Sequence, residues 1–212
     1  MAGGYAELLE HYVKISGERC GKCRGLLSSP QAADLAATVE WDVGYDVIGD
    51  FMHCGGRVIA HREIISELVT RFCGACEVKA KFSLPQAEPA NAKKKTKKKD
   101  VMPDLYPEIA VLHISKEIDP LPQSTVSFSD RCSGCGSYHI ESLTGVEQWD
   151  LRAHTPRVDG SGLFVRSEDL DGCDFFRPRH SGYVLCTDRV REFVLERGYT
   201  NVRFLEFGNV IE

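Results

Sequence analysis

Cysteines set the tightest limit on what this chain can fold into, because six of them fall as three Cys-x-x-Cys pairs: Cys20/Cys23, Cys73/Cys76 and Cys132/Cys135. Cys54, Cys173 and Cys186 stand singly. Nine cysteines is an odd number, and the start MAGGYAELLEHY lacks the basic-then-apolar order of a signal peptide. Both features argue against a secreted disulfide framework and predict a reducing, cytoplasmic setting with metal-binding or redox pairs. No stretch approaches the roughly 18 to 20 apolar residues that cross a bilayer, so no membrane partner is expected. The single cysteines are expected to pack as small apolar residues.

The chain divides by composition. Residues 85–107 combine Pro85, Pro89, Pro103 and Pro107 with the run Lys93, Lys94, Lys95, Lys97, Lys98 and Lys99, which predicts a flexible linker. It separates an N-terminal half, residues 1–84, from a C-terminal half, residues 108–212. The halves share an order of features. Each has a cysteine pair early on, then Trp-Asp (Trp41-Asp42, Trp149-Asp150), then Asp-Phe with a short apolar strand (Asp50-Phe51 and Val58-Ile59; Asp174-Phe175 and Val184-Leu185). An amphipathic helix follows in each half. The first carries Ile64, Leu68 and Phe72 beside Ile65 and Val69, the second Val190, Phe193, Val194 and Arg197. Thr187 reads as the N-cap of the second helix and Gly198 as its stop. Alternation at Val78, Ala80 and Phe82, and at Val202 and Phe204, predicts a closing strand in each half. The expected fold is therefore α+β: two similar α/β halves from an internal duplication, mainly antiparallel, with one principal helix each.

A Cys-x-x-Cys turn presents two thiolates to one ion, and two such knuckles complete a tetrahedral zinc site. Cys132-Ser133-Gly134-Cys135-Gly136 matches that pattern well, and Cys20-Gly21-Lys22-Cys23 matches with its glycine displaced by one position. Equivalent places in the two halves select Cys20, Cys23, Cys132 and Cys135 as the ligands, stapling the halves together. Cys73 and Cys76 could instead partner Cys20 and Cys23, and His139 could replace a thiolate. Unmetallated thiols and a redox dithiol are the other readings, although no pair sits at a helix N-terminus after a strand, the setting that activates a thiol.

The formal net charge is −5, and the lysine run contributes six positive charges, so the remainder carries −11. That balance disfavours nucleic-acid phosphates and suits a basic protein partner. No serine elbow, paired-histidine helix, phosphate-cradling loop or dinucleotide fingerprint occurs, so no catalytic residues are expected. Asp169–Asp174 has a faint likeness to a calcium loop but lacks its later glutamate, and reads as a turn. Arg177, Arg179 and His180 form a small basic cluster that reads as a solvated loop.

Beyond these readings, the chain resembles the double-CXXCG motif proteins. The likeness rests on the two distant knuckles and on Asp174-Phe175-Phe176-Arg177, Cys186-Thr187-Asp188-Arg189-Val190 and Gly198-Tyr199-Thr200-Asn201-Val202-Arg203-Phe204. It departs at Arg24, where the motif has glycine, and in the extra pair Cys73/Cys76 and the lysine-rich segment. The resemblance implies a cytoplasmic immunity protein that binds and sterically neutralises a cognate bacterial toxin encoded by an adjacent gene. A zinc-knuckle module binding nucleic acid is the alternative.

Replacing residues 86–100 by a neutral Gly/Ser linker of equal length is expected to leave the thermal midpoint of the full chain unchanged, because clustered lysines repel one another and bury nothing. A circular-dichroism melt checks this, and a cooperative loss of structure would overturn it.

Overall fold

The computed structural model describes residues 6–13, 20–23, 35–41, 49–54, 57–83, 108–136, 140–143, 157–179, 181 and 183–212. The 85–107 segment up to Pro107, together with Arg24, His139, Trp149 and His180, lies outside the described residues. In chain order the first elements are strands β1 (Ala6–Val13), β2 (Leu35–Trp41), β3 (Phe51–Cys54) and β4 (Arg57–His61), helix α1 (Arg62–Arg71), and strands β5 (Ala75–Ser83) and β6 (Ile109–Ile114). Short strands β7 (Glu117–Ile118), β8 (Val126–Phe128), β9 (Ile140–Leu143) and β10 (Leu163–Arg166) follow, then the one-turn helix α2 (Ser167–Leu170). The last elements are β11 (Phe175–Pro178), β12 (Leu185–Cys186), helix α3 (Asp188–Glu196) and β13 (Gly208–Ile211).

The fold is α+β, as expected. Its largest sheet has the order β1-β2-β5-β6-β4-β3, antiparallel at every step except β2 beside β5. β6 is decisive here. Its six residues IAVLHI are all buried, and it pairs with β5 on one side and β4 on the other. A strand covered on both faces reads as a continuous apolar run rather than an alternation. Because β6 follows the 85–107 segment, the sheet begun by the N-terminal residues is completed by a C-terminal one. The two halves thus share a sheet and a core.

Helix α1 packs Ile64, Ile65 and Leu68 onto this sheet, the stripe that its four-residue spacing predicted. Helix α3 adds Val190, Phe193 and Val194 to the same cluster. Phe72, just past α1, meets Phe175 and Phe193 edge-on, with ring centroids 6.3 and 5.5 Å away. On the rim, Glu67 of α1 pairs with Arg197 and accepts a hydrogen bond from the Tyr199 hydroxyl at 2.8 Å. A second cluster of Ile118, Leu163, Val165, Leu170 and Phe176 lies where β7, β10, α2 and β11 meet.

One unit does recur. The hairpin β3–β4 leads into α1, and the hairpin β11–β12 leads into α3. The paired Asp-Phe positions also have parallel roles, since Asp50 accepts from the Thr200 amide and hydroxyl at 2.6 and 2.8 Å, while Asp174 accepts from the Thr187 hydroxyl at 2.7 Å. Elsewhere the layouts differ: β10 pairs with β13 and β11 with β7, both in parallel, and apart from β6 the second half places its described strands in separate small sheets. An internal duplication is not shown by this arrangement.

Two local expectations are corrected. Val202 and Phe204 alternate inward onto the core, but residues 202–207 have no ladder partner among the described residues, and the strand begins only at Gly208 beside β10. Alternation reports burial, whereas a strand also needs a neighbour. Thr187 does occupy the N-cap of α3, yet its hydroxyl is donated to Asp174 instead of accepting from the helix. Gly198 ends that helix as expected, with φ of 68°. The Asp169–Asp174 stretch is a turn closed by Asp171 and Gly172 in the left-handed region, and Asp174 itself is buried against Thr187 and Arg189.

Gly74, between α1 and β5, has φ of 95°, and a Cβ there would run into the Phe175 carbonyl at the start of β11. Gly74→Ala is therefore expected to cost roughly 3 kcal/mol or more through backbone strain and steric conflict. Urea unfolding of the two proteins measures it, and a difference under about 1 kcal/mol would show that the turn relaxes freely.

Candidate metal centre

Cys20–Cys23 lies in the connection between β1 and β2, and Cys132–Cys135 in the connection between β8 and β9. Each knuckle thus belongs to an antiparallel strand pair. The Cys132 turn is tight because the Gly136 amide donates to the Cys132 carbonyl at 2.7 Å, with Gly136 at φ of 72°, a conformation that glycine adopts without cost.

The two knuckles face each other across 112 residues of sequence. Cys20 Sγ lies 3.7 Å from Cys132 Sγ, and Cys23 Sγ lies 3.6 Å from Cys135 Sγ. All four sulfurs fall within 4.8 Å of one another. An ion bound tetrahedrally by four sulfurs at about 2.3 Å holds them about 3.8 Å apart, so this spacing fits one shared ion. Cys73 and Cys76 are not in the cluster, which removes the alternative pairing from consideration.

Backbone amides prepare the thiols for that role. The amides of Gly134 and Cys135 bring the Cys132 thiol down to about 6, and the amides of Cys23 and Lys22 lower Cys20 against the opposing effect of burial. Hydrogen bonds to a thiolate favour the ionised form, which is the form that binds metal. Cys20 is buried, Cys132 and Cys135 are half-buried and Cys23 is exposed, so the site sits just under the surface.

Two residues that the spacing rule leaves unspecified make the closure possible. Lys22 extends over the other knuckle and donates to Ser133 Oγ at 3.0 Å. Gly134 leaves room at the join: a Cβ there would stand 3.0 Å from Cys20 Sγ and 3.4 Å from the Lys22 stem. The signal for Gly134 was present in the sequence as a small residue inside a knuckle. What it makes room for could be seen only with both knuckles placed.

Chemically, four thiolates saturate a tetrahedral ion and leave no position for water or substrate, so the arrangement is that of a structural centre. An ion shared by the two knuckles would tie β8–β9 to the connection at the edge of the large sheet. A two-stranded hairpin is marginal by itself in water, and such a tie would fix one end of it. The other expected candidates do not join the site. Arg177 pairs with Glu117, and Arg179 Nε donates to Asp119 Oδ1 at 2.9 Å, so the two arginines of the basic cluster are matched by carboxylates rather than solvated alone. Cys186 packs at the main core, where burial pushes its thiol up to about 12. No helix is long and apolar enough to cross a membrane among the described residues.

No family model matches the chain, and no curated protein matches it as a relative.

Gly134→Ala is expected to keep the fold and weaken metal binding, since overpacking of this kind costs about 1–3 kcal/mol, or roughly ten- to hundredfold in affinity. Competition against a chromophoric chelator checks it. Unchanged affinity would mean that the knuckles part without strain.

Proposed function

We propose that this chain is a zinc-stapled immunity protein of the double-CXXCG kind, which binds a cognate bacterial toxin in the cytoplasm and blocks it sterically. The single observation that carries the reading is the cluster of Cys20, Cys23, Cys132 and Cys135, whose four sulfurs lie within 4.8 Å of one another. Sulfur-only ligation at tetrahedral spacing suits zinc, and a centre with no open position supports a scaffold role. A scaffold without a reacting centre acts through its surface. The excess of carboxylates outside the lysine run suits a basic partner and opposes phosphate-bearing ones.

The residues behind the family likeness are largely framework. Asp174 holds Thr187 and Arg189, Phe175 meets Phe72, and Tyr199 holds Glu67. Such residues fix the fold that a family would share, so the toxin-specific contacts lie elsewhere on the surface. The recurring hairpin-helix units also support an old internal duplication, with the C-terminal copy since rearranged.

Purified without chelator, the full chain is expected to hold about one zinc ion per molecule. Cys132→Ser should release it, while Cys186→Ser should retain it, as read by elemental analysis. Zinc retained in Cys132→Ser would overturn the ligand assignment.

Co-expression with the product of the adjacent gene should give a stoichiometric complex and rescue growth, with protection failing once toxin exceeds the immunity protein. Charge reversal of interface carboxylates should slow association most at low salt. Full protection by substoichiometric amounts would point to turnover, and salt-sensitive binding to a polyanion in place of the neighbouring protein would favour the nucleic-acid alternative.

A further inference from the structure

Outside the metal centre, one further pair of thiols is brought together by the fold. Cys73 follows α1, and Cys173 precedes β11. The Cys73 thiol donates to the Gly172 carbonyl at 3.0 Å, and the Cys73 carbonyl accepts from the amides of Asp174 and Phe175 at 3.1 and 3.0 Å. Cys73 therefore bridges the residues on either side of Cys173. The side chains also lie near each other, for burial first and the neighbouring Cys73 thiol second raise the Cys173 thiol. The absence of a side chain at Gly74 is what permits the approach: a Cβ there would stand 3.0 Å from the Cys173 Cβ. The turn is held from the far side as well, where Ser115 donates to the Gly74 carbonyl through its amide at 3.0 Å and its hydroxyl at 3.1 Å.

We propose that Cys73 and Cys173 are a thiol–disulfide exchange site, closing to a reversible disulfide when a small-molecule disulfide such as oxidised glutathione is present. Disulfides need α-carbons about 4.4–6.8 Å apart with side chains facing, and Cys73 is tied to both flanks of Cys173, through its thiol to Gly172 and through its carbonyl to the amides of Asp174 and Phe175. Cys73 is exposed and Cys173 half-buried, which orders the reaction. The Cys73 thiolate attacks one sulfur of oxidised glutathione, forming a mixed disulfide and expelling one glutathione thiolate. Cys173 then loses its proton, and its sulfur attacks Cys73 and expels the second glutathione. Two protein thiols are oxidised, one glutathione disulfide is reduced to two glutathiones, and the two protons end on the released thiolates. An ion shared by Cys20, Cys23, Cys132 and Cys135 would shield those four sulfurs, and Cys186 packs against the main core.

The metal-loaded full chain, incubated with oxidised glutathione and then alkylated, tests this by peptide mass spectrometry. The expected product is a Cys73–Cys173 cross-linked peptide, reversed by reduced glutathione, with a rise in the thermal midpoint from closing a loop of about 100 residues. Cys73→Ser, which keeps a donor toward Gly172, should abolish the link, and Cys186→Ser should not affect it. A Cys73–Cys76 bridge, a Cys73 glutathione adduct that never resolves, or oxidation of the metal thiolates ahead of Cys73 would each overturn the proposal.

Discussion

The insertion of β6 between β5 and β4 is the constraint on which the other contacts depend. With Ile109 to Ile114 in place, the large sheet has a buried centre, and α1 has an apolar floor on which to set Ile64, Ile65 and Leu68. α3 is then drawn to the same cluster because Phe193 and Val194 find Phe72 and its neighbours already positioned. A sheet whose central strand comes from beyond a long connection cannot be cut there without exposing both its halves. The lysine-rich stretch marks a break in composition, and the hydrophobic core passes across it.

The parts legible in the sequence were those decided locally. Four-residue spacing gave both helices, because a single stripe of Ile64, Leu68 and Phe72, or of Val190, Phe193 and Val194, records its own burial whatever covers it. Knuckle spacing gave the ligand set, because two thiolates on one turn already define half of a tetrahedron. Matching positions then paired Cys20 and Cys23 with Cys132 and Cys135.

What escaped was decided by partners distant in sequence. Nothing local tells Val202 and Phe204 that no strand lies beside them, and nothing in Thr187 announces that Asp174 will claim its hydroxyl in place of the helix end. The apolar run at β6 is buried throughout and has no alternation of its own, and periodicity names no neighbours. The same limit hid the meeting of Cys73 with Cys173. The two lie in unlike contexts, and only the hydrogen bonds of the Cys73 thiol and carbonyl to the flanks of Cys173 show that they share a place.

The span between the two knuckles also has a consequence during synthesis. Cys20 and Cys132 are 112 residues apart, so at a translation rate of about 5–20 residues per second the first knuckle waits roughly 6 to 22 s before its partner is made. For that interval the nascent chain carries an open dithiol, able to hold a thiophilic ion in two-coordinate form or to be oxidised. An ion shared by both knuckles could be fully enclosed only once Cys135 has been made, which would tie completion of the cluster to late events in synthesis.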